Sequence, residues 1–346
     1  MKKLILFIFI LVLIAGALAA WLVSGPATDF KETSRFFYIK SDSTNKAFVL
    51  KTLKQNKFLK HPEVFSWLAG KMKYWNSIKP GKYEIKKGDN ILSIIRMLRN
   101  GRQTQVNLII TKIRTKEDLA RIVGNKFECD SLQMINFLNN HDSLSKYGLN
   151  TETSMTVVLP NTYTYFWNTT PRKIFQKLVD ESQKFWTEER RQQATNLGLT
   201  ETQAYILASI IEEETNATSD KPNIASVYLN RIEKKMPLQA DPTVKFALKD
   251  FGLKRIYQKH LAIQSPYNTY LNTGLPPGPI CTPSAETLEA VLNAPKTDYL
   301  YFVANSDFSG THIFTTNYTD HQKYAKEFQK AQDKQDSIRN ANQAIK

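Results

Sequence analysis

The chain has 346 residues, 42% of them hydrophobic and 23% charged, with 13 Gly and 14 Pro. Those are ordinary globular values, which exclude a collagen-like or low-complexity chain and point to two or three folded domains. Lys and Arg outnumber Asp and Glu 47 to 32, a formal net charge of +15, which favours a polyanionic environment such as anionic lipid or an acidic cell-wall polymer. Nucleic acid is not the expected partner, because lysine is spread from Lys2 to Lys346 with no zinc-finger, RNP-like or basic-heptad spacing. Cys129 and Cys281 lie far apart without a CxxC spacing, and the histidines form no HExxH or HxH cluster, so no metal site, cofactor or disulfide framework is expected.

Lys2 and Lys3 precede an uncharged apolar run from Leu4 to Val23, about 20 residues, the length a helix needs to cross a bilayer. The cationic pair is expected to stay cytoplasmic, which would export everything after Ser24. Ala17-Leu18-Ala19 also resembles a signal-peptide cleavage site, but the apolar run exceeds the roughly 7 to 15 residues of a usual signal core. A retained single-pass anchor with one large extracytoplasmic part is the preferred reading.

Between Phe36 and about Asn140 a weak theme of extended segment, turn and amphipathic helix occurs three times. FFYIKSDSTNKAFVLKTLKQN is the first copy, GKYEIKKGDNILSIIRMLRNG the second and VNLIITKIRTKEDLARIVGNK the third. In the second, Tyr83 and Ile85 alternate as in a strand, and Ile91, Ile94, Ile95 and Leu98 recur at helical spacing. This copy resembles a LysM-like module, whose relatives lie against amino-sugar chains; a plain α+β packing module is the equally open alternative. From Val157 onward longer helices are expected at Thr202–Glu214, Pro222–Lys235, Thr243–Lys249 and Pro283–Asn293, the last with Thr282 as N-cap. Strands are expected at Tyr299–Ala304 and Thr311–Thr316, followed by a polar helix after Thr319. The expected fold class is α+β: residues 1–23 as tip and transmembrane helix, 24–105 as a small membrane-proximal LysM-like α/β region, and 106–346 as a catalytic α+β domain of mixed helices and short strands.

Thr200 and Gln203 have capping-box spacing, so a helix should start there. With Leu207 at zero and steps of about 100°, Ile211 falls near +40°, Ile210 near −60° and Glu214 near −20°. Glu214 therefore points with the apolar stripe, whereas Glu213 near −120° and Glu212 near +140° fall on the flank and the polar side, as ordinary surface carboxylates. A carboxyl on a buried face loses solvation, its pKa rises, and it becomes a proton donor near neutral pH. The bland alternatives are fraying after Ile211, or a Glu214 that bonds the backbone at Thr215-Asn216.

Several segments have the aromatic, amide and hydroxyl mixture of a sugar cleft: Asn230-Arg231, Gln239-Ala-Asp241, Tyr267-Asn268-Thr269-Tyr270, Gly274-Leu-Pro-Pro-Gly278 and Gly310-Thr-His312. Each has a structural alternative: Asp241 a helix cap, Pro276-Pro277-Gly278 a rigid turn, His312 a satisfied strand residue.

Taken in order with Leu159-Pro-Asn-Thr-Tyr163, Leu207-Ala-Ser-Ile-Ile-Glu-Glu-Glu-Thr215, Ala225-Ser-Val-Tyr-Leu-Asn-Arg231, Leu238-Gln-Ala-Asp-Pro-Thr243 and Tyr299-Leu-Tyr-Phe-Val303, these blocks resemble the MltG/YceG-type endolytic murein transglycosylases. The resemblance covers nearly all of the chain after the anchor. It implies a membrane-anchored lyase that cuts nascent peptidoglycan strands within the chain, leaving 1,6-anhydro ends, without a cofactor. It implies Glu214 as the catalytic acid, with Glu212 the other candidate in the same block, and Glu212, Asn230, Gln239, Asp241, Tyr267, Asn268, Thr269 and His312 as substrate-binding. The implied partners are peptidoglycan glycan strands, the membrane and peptidoglycan synthases. The competing functions are a muramidase with Asp241 activating water, and a non-catalytic glycan-binding scaffold.

Overall fold

The computed structural model describes residues 2–253 and 255–344. The chain is a mixed α+β protein whose first element, α1 (Lys2–Ser24), is, among the described residues, the one helix long and apolar enough to cross a membrane. Its apolar side chains are exposed along its length. Three two-stranded sheets pair β1 (Ser34–Ile39) with β2 (Gly81–Lys86), β3 (Gln105–Ile110) with β4 (Asn161–Phe166), and β5 (Tyr301–Ala304) with β6 (His312–Thr315).

The chain divides into two compact units, the first holding the residues through Leu108 with Val123–Asp130 and Tyr163–Pro171. After α1, Ala27 and Thr28 are fixed at once: the Ala27 N–H bonds the Asp89 carbonyl and Thr28 bridges to Leu59. β1 and β2 run antiparallel from Ser34 opposite Lys86 to Ile39 opposite Gly81. Strand alternation turns Phe37, Ile39, Tyr83 and Ile85 to one face. That face is covered by α2 (Lys46–Gln55), α3 (Pro62–Lys71) and α4 (Ile91–Asn100), whose Ile91, Ile94, Ile95 and Leu98 are all buried. Asn90 caps α4 by accepting the Ser93 N–H at 2.8 Å, and Gly101 ends it in the left-handed region. All three strand-then-helix copies form, the third as β3 and α5 (Lys116–Gly124). The theme does not repeat in topology: the first two copies share one sheet, whereas β3 pairs with β4, which belongs to no copy.

The second unit holds Ile109–Ile122, Ser131–Thr162 and Arg172–Lys346. It continues through α6 (Ser131–Leu138), α7 (His141–Ser145), α8 (Pro171–Phe185), α9 (Glu188–Asn196), α10 (Glu201–Glu214), α11 (Lys221–Glu233), α12 (Asp241–Leu248), α13 (Gln258–Leu261), α14 (Ala285–Leu292) and the polar α15 (Tyr318–Ala344). At its centre lies α10. The expected capping box is present in both directions, with Thr200 Oγ1 accepting the Gln203 N–H and the Gln203 side chain accepting the Thr200 N–H. Every residue from Ala204 to Ile211 is buried, because α9, α11, α12 and α14 all pack on this helix. An all-round buried helix has no solvent face, so its polar side must be satisfied by the protein.

The N-cap of α14 differs from expectation. Ser284 accepts the Thr287 N–H, while Thr282 is drawn into a paired contact with Ile113, its N–H bonding the Ile113 carbonyl at 2.8 Å and its Oγ1 accepting the Ile113 N–H at 3.0 Å. A partner 169 residues away outbids the local cap.

Truncating Leu207 to Ala should cost about 2–5 kcal/mol, as a cavity in a helix packed from all sides. Replacing Thr200 with Ala should cost about 1 kcal/mol for the lost cap. Urea unfolding in detergent checks both, and equal effects would contradict the central placement of α10.

Candidate active site

The last turn of α10 carries three consecutive glutamates with different surroundings. Glu212 is bonded by Lys221 Nζ at 3.2 Å, by Ser284 Oγ at 3.1 Å and by Thr287 Oγ1. Burial pushes its pKa up, but the Thr287 hydrogen bond and the Lys221 charge outweigh burial and hold it below the usual carboxylate range. Glu213 pairs with Lys112 at 3.2 Å and with Arg114 at 2.9 Å. Neither is the surface carboxylate that helical register alone implies, their side chains being 16% and 15% exposed. The protein packed on the polar side of α10 covers both of them.

Glu214 ends the helix, which does not fray: the Thr215 N–H still bonds the Ile211 carbonyl. The Glu214 carboxylate accepts the Tyr228 hydroxyl at 2.6 Å, and the residue is only partly exposed. Burial raises its pKa to about 7; the Tyr228 hydrogen bond opposes the rise, the Asp241 charge adds to it, and Lys245 and Arg231 pull it back. A group titrating there is shared between acid and base forms at neutral pH, as a residue that first gives and then takes a proton requires.

Tyr228 and Arg231 both belong to α11, on the stripe begun by Ile224, at steps of four and three residues. Arg231 is buried, its Nε donating to the Leu300 carbonyl and its Nη1 to the Leu238 carbonyl, each at 2.7 Å, with the guanidinium above the Tyr301 ring. These bonds fix its guanidinium, and its charge lowers the Glu214 pKa. Asp241 opens α12, is exposed, and accepts the Tyr270 hydroxyl at 2.6 Å. Gln239, two residues earlier, is exposed and held at a left-handed φ of 54° that favours glycine, its N–H bonded to the Thr269 carbonyl at 3.1 Å. A glutamine kept in that conformation is the kind of local strain found at binding sites.

Of the residues singled out in the sequence, the structure gathers Asp241 to Glu214, with Gln239 two residues before it. Others are committed to the framework. Asn268 is buried, donating to the Leu261 and Ile263 carbonyls, both at 2.9 Å, and accepting the Tyr270 N–H. Thr269 is buried, its hydroxyl accepting the Ala240 N–H and paired with Thr243 Oγ1 at 2.9 Å. Together they pin the Tyr267–Tyr270 loop to the start of α12. Asn230 donates to the Thr297 and Tyr299 carbonyls, and the backbone N–H and Nδ1 of His312 both meet Asp220 Oδ2. Tyr267 packs on Phe246 and donates to Glu152 at 2.8 Å. Tyr228 and Lys245 are not among the expected site residues, and Tyr270 is expected only as part of a cleft segment. Arg231 at helical spacing from Ile224 and Tyr228 carried the same signal as Glu214, a charge on an apolar stripe.

The profile of the YceG-like family matches residues 37–327. The chain is 30% identical over 289 residues to the endolytic murein transglycosylase of Bacillus subtilis, covering 78% of each. It is 28% identical over 307 residues to that of Streptococcus pneumoniae D39, covering 79% of the chain and 54% of the relative, about half its length. Among solved structures it resembles the crystal structure of a yceG-like protein from Listeria monocytogenes, with a TM-score of 0.55 and 28% identity over 85% of this chain and 99% of that one.

Two outcomes follow from the geometry. Tyr228→Phe removes a hydrogen bond to the charged form of Glu214, so its pKa should rise above about 7, whereas Asp241→Asn removes a repelling charge and should lower it. Carbon-13 NMR titration of the Glu214 carboxyl reads both, and shifts of the opposite sign would contradict the placement of these neighbours. Lys221→Met leaves Glu212 partly buried without its cation and should cost about 3–5 kcal/mol. Its depressed pKa makes the stability supplied by Glu212 present above the unfolded carboxylate range and lost as pH falls through the folded value. The variant's stability should therefore change less with pH under acid conditions than that of the wild type in denaturant melts.

Proposed function

The chain belongs to the YceG-like family, and from that premise we propose that it is an endolytic murein transglycosylase, a lyase that cuts the β-1,4 bond between N-acetylmuramic acid and N-acetylglucosamine. Glu214 is the catalytic acid. The single observation that carries the reading is its partly buried carboxyl, lifted to about 7 and held by Tyr228. The curated relatives named endolytic murein transglycosylases support the reaction class.

In the proposed mechanism protonated Glu214 gives its proton to the bridging oxygen as the bond to the muramic C1 breaks. The 6-hydroxyl oxygen of the same muramic residue attacks C1, and the Glu214 carboxylate takes that hydroxyl's proton. The result is a 1,6-anhydro end and a regenerated acid, with no water consumed. One carboxyl suffices because the nucleophile is intramolecular and already positioned. The negative charge of Asp241 stands where oxocarbenium-like charge develops. Gln239 and Tyr270 are the polar side chains beside it for the sugar's acetamido and hydroxyl groups, while Asn268 and Thr269 shape the loop instead of touching sugar. The apolar helix α1 serves as a single-pass anchor with the enzyme outside the cytoplasmic membrane, where nascent strands and their synthases are found. The β1–β2 region, read as a LysM-like module, would hold glycan near the surface.

A second reading is favoured by the electrostatic contact between Asp241 and Glu214: a hydrolase needs two carboxylates, and Asp241 could activate water. The two reactions differ by one water in product mass.

Wild-type protein should convert purified glycan strands to internally cut products with anhydro ends. Its kcat/KM should fall above about pH 7 as Glu214 loses its proton. Glu214→Gln should lower cleavage at least about 100-fold. Mass spectrometry of the products checks this. Reducing ends would move the assignment to the hydrolase, and wild-type rates from the variant would remove Glu214 from the mechanism.

A further inference from the structure

A cavity of about 290 Å³ in the second unit lies beyond the sugar-cleaving groups. Arg114, Lys116 and Lys249 line it together with the carboxylates Glu117 and Glu152, and Met155 and Phe246 give it apolar surface. We infer that this cavity receives the peptide branch of a murein strand, a short chain with small alkyl side chains, carboxylates and an amine, so that the enzyme acts preferentially on peptide-bearing glycan. The inference rests on the transglycosylase reading and deepens it.

Position links the cavity to the acid. Arg114 donates to Glu213 Oε2 at 2.9 Å, and Glu213 is the residue before Glu214. Phe246 follows Asp241 by five residues on α12, about 7.5 Å along the helix axis. The cavity wall and Asp241 thus share helix α12.

The walls are preformed. The Tyr267 hydroxyl donates to Glu152 at 2.8 Å, and its ring lies against Phe246. Gly278 has no side chain for a steric reason: a Cβ there would collide with the Glu152 carbonyl oxygen and the Tyr267 hydroxyl. The Pro-Pro-Gly turn is thereby pressed onto the two residues that shape this wall. The Arg114 guanidinium also stands 5.0 Å from the Phe251 ring centroid, which fixes its plane.

Charge selects the ligand. Lys112 and Arg114 both serve Glu213, so positive charge is in excess at that end, and Lys116 and Lys249 add to it. Glu117 and Glu152 supply the opposite sign. An uncharged amino sugar uses none of these groups and the lactyl carboxylate of a stripped muramic residue uses only the cations, whereas a peptide carrying carboxylates and an amine uses both signs and lays its methyl groups on Met155 and Phe246.

The test uses the full-length protein in detergent, on murein strands that keep their peptides and on the same strands stripped of them by an amidase. Lys116→Ala/Lys249→Gly removes two cations, and glycine suits Lys249, whose φ is 54°. Wild type should favour the peptide-bearing strands. The double variant should lose about tenfold in kcat/KM on them with little change on stripped strands. Lys184→Ala, a surface lysine elsewhere on the unit, should change neither. Equal cleavage of both substrates by wild type overturns the inference while leaving the transglycosylase reading intact. So does a loss by the double variant on both alike, or the same loss from Lys184→Ala. No cleavage of either substrate by wild type overturns the reading on which the inference stands.

Discussion

The hydrogen bond from Tyr228, in the middle of α11, to Glu214, at the end of α10, ties two packed helices to a carboxyl whose pKa is lifted to about 7. Ionising that carboxyl costs on the order of 3 kcal/mol relative to water. The cost is tolerable only because a hydroxyl donor, a buried arginine and Lys245 partly offset it. Without the donor the group would stay protonated well above neutral pH and could not take a proton back; without the burial it would be ionised throughout and could not give one. The packing of α10, α11 and α12 sets the balance, since each contributes a group to the same few ångströms.

The three glutamates that end α10 show how far a 100° step decides chemistry. Glu212 meets a buried lysine and two hydroxyls and is fixed as an anion. Glu213 meets two cations from the Ile109–Ile122 segment. Glu214 meets a phenol and another carboxylate. The first two act as rivets: they tie α10 to α11, to α14 and to the preceding segment, and so fix the rotation of the helix. A helix turned by one residue would present Glu213 to the cleft and leave Lys221 without its anion. The orientation of Glu214 is thus fixed by three ion pairs that its two neighbours make.

Local signals in the sequence were legible where local geometry decides. The capping box at Thr200 and Gln203, the amphipathic α4 and the inward register of Glu214 each depend on residues within a few positions of one another. What could not be read depends on partners far along the chain. Glu212 looks solvated until Thr287 and Ser284, more than 70 residues on, are placed against it. Thr282 looks like a cap until Ile113 claims it. Asn268 and Thr269 have the chemistry of sugar ligands, and only folding reveals that their hydrogen bonds are consumed in holding the loop beside α12. Polar residues of a cleft and polar residues that build its walls have the same composition, so type alone does not separate them. Whether their donors remain free does.

Asp241 sharpens this distinction. It is exposed, one of its oxygens takes the Tyr270 hydroxyl, and its charge reaches Glu214. The Asp241 charge adds to burial in raising the pKa of the more buried Glu214. In the proposed mechanism this asymmetry gives each a separate duty: the buried carboxyl handles protons and the exposed one faces developing positive charge. It also explains why Arg231 is tied to the Leu300 and Leu238 carbonyls. An arginine free to swing onto Glu214 would form a full ion pair and depress the acid. Held back by its own hydrogen bonds, it contributes a weaker, fixed potential that lets the carboxyl stay near the middle of its titration.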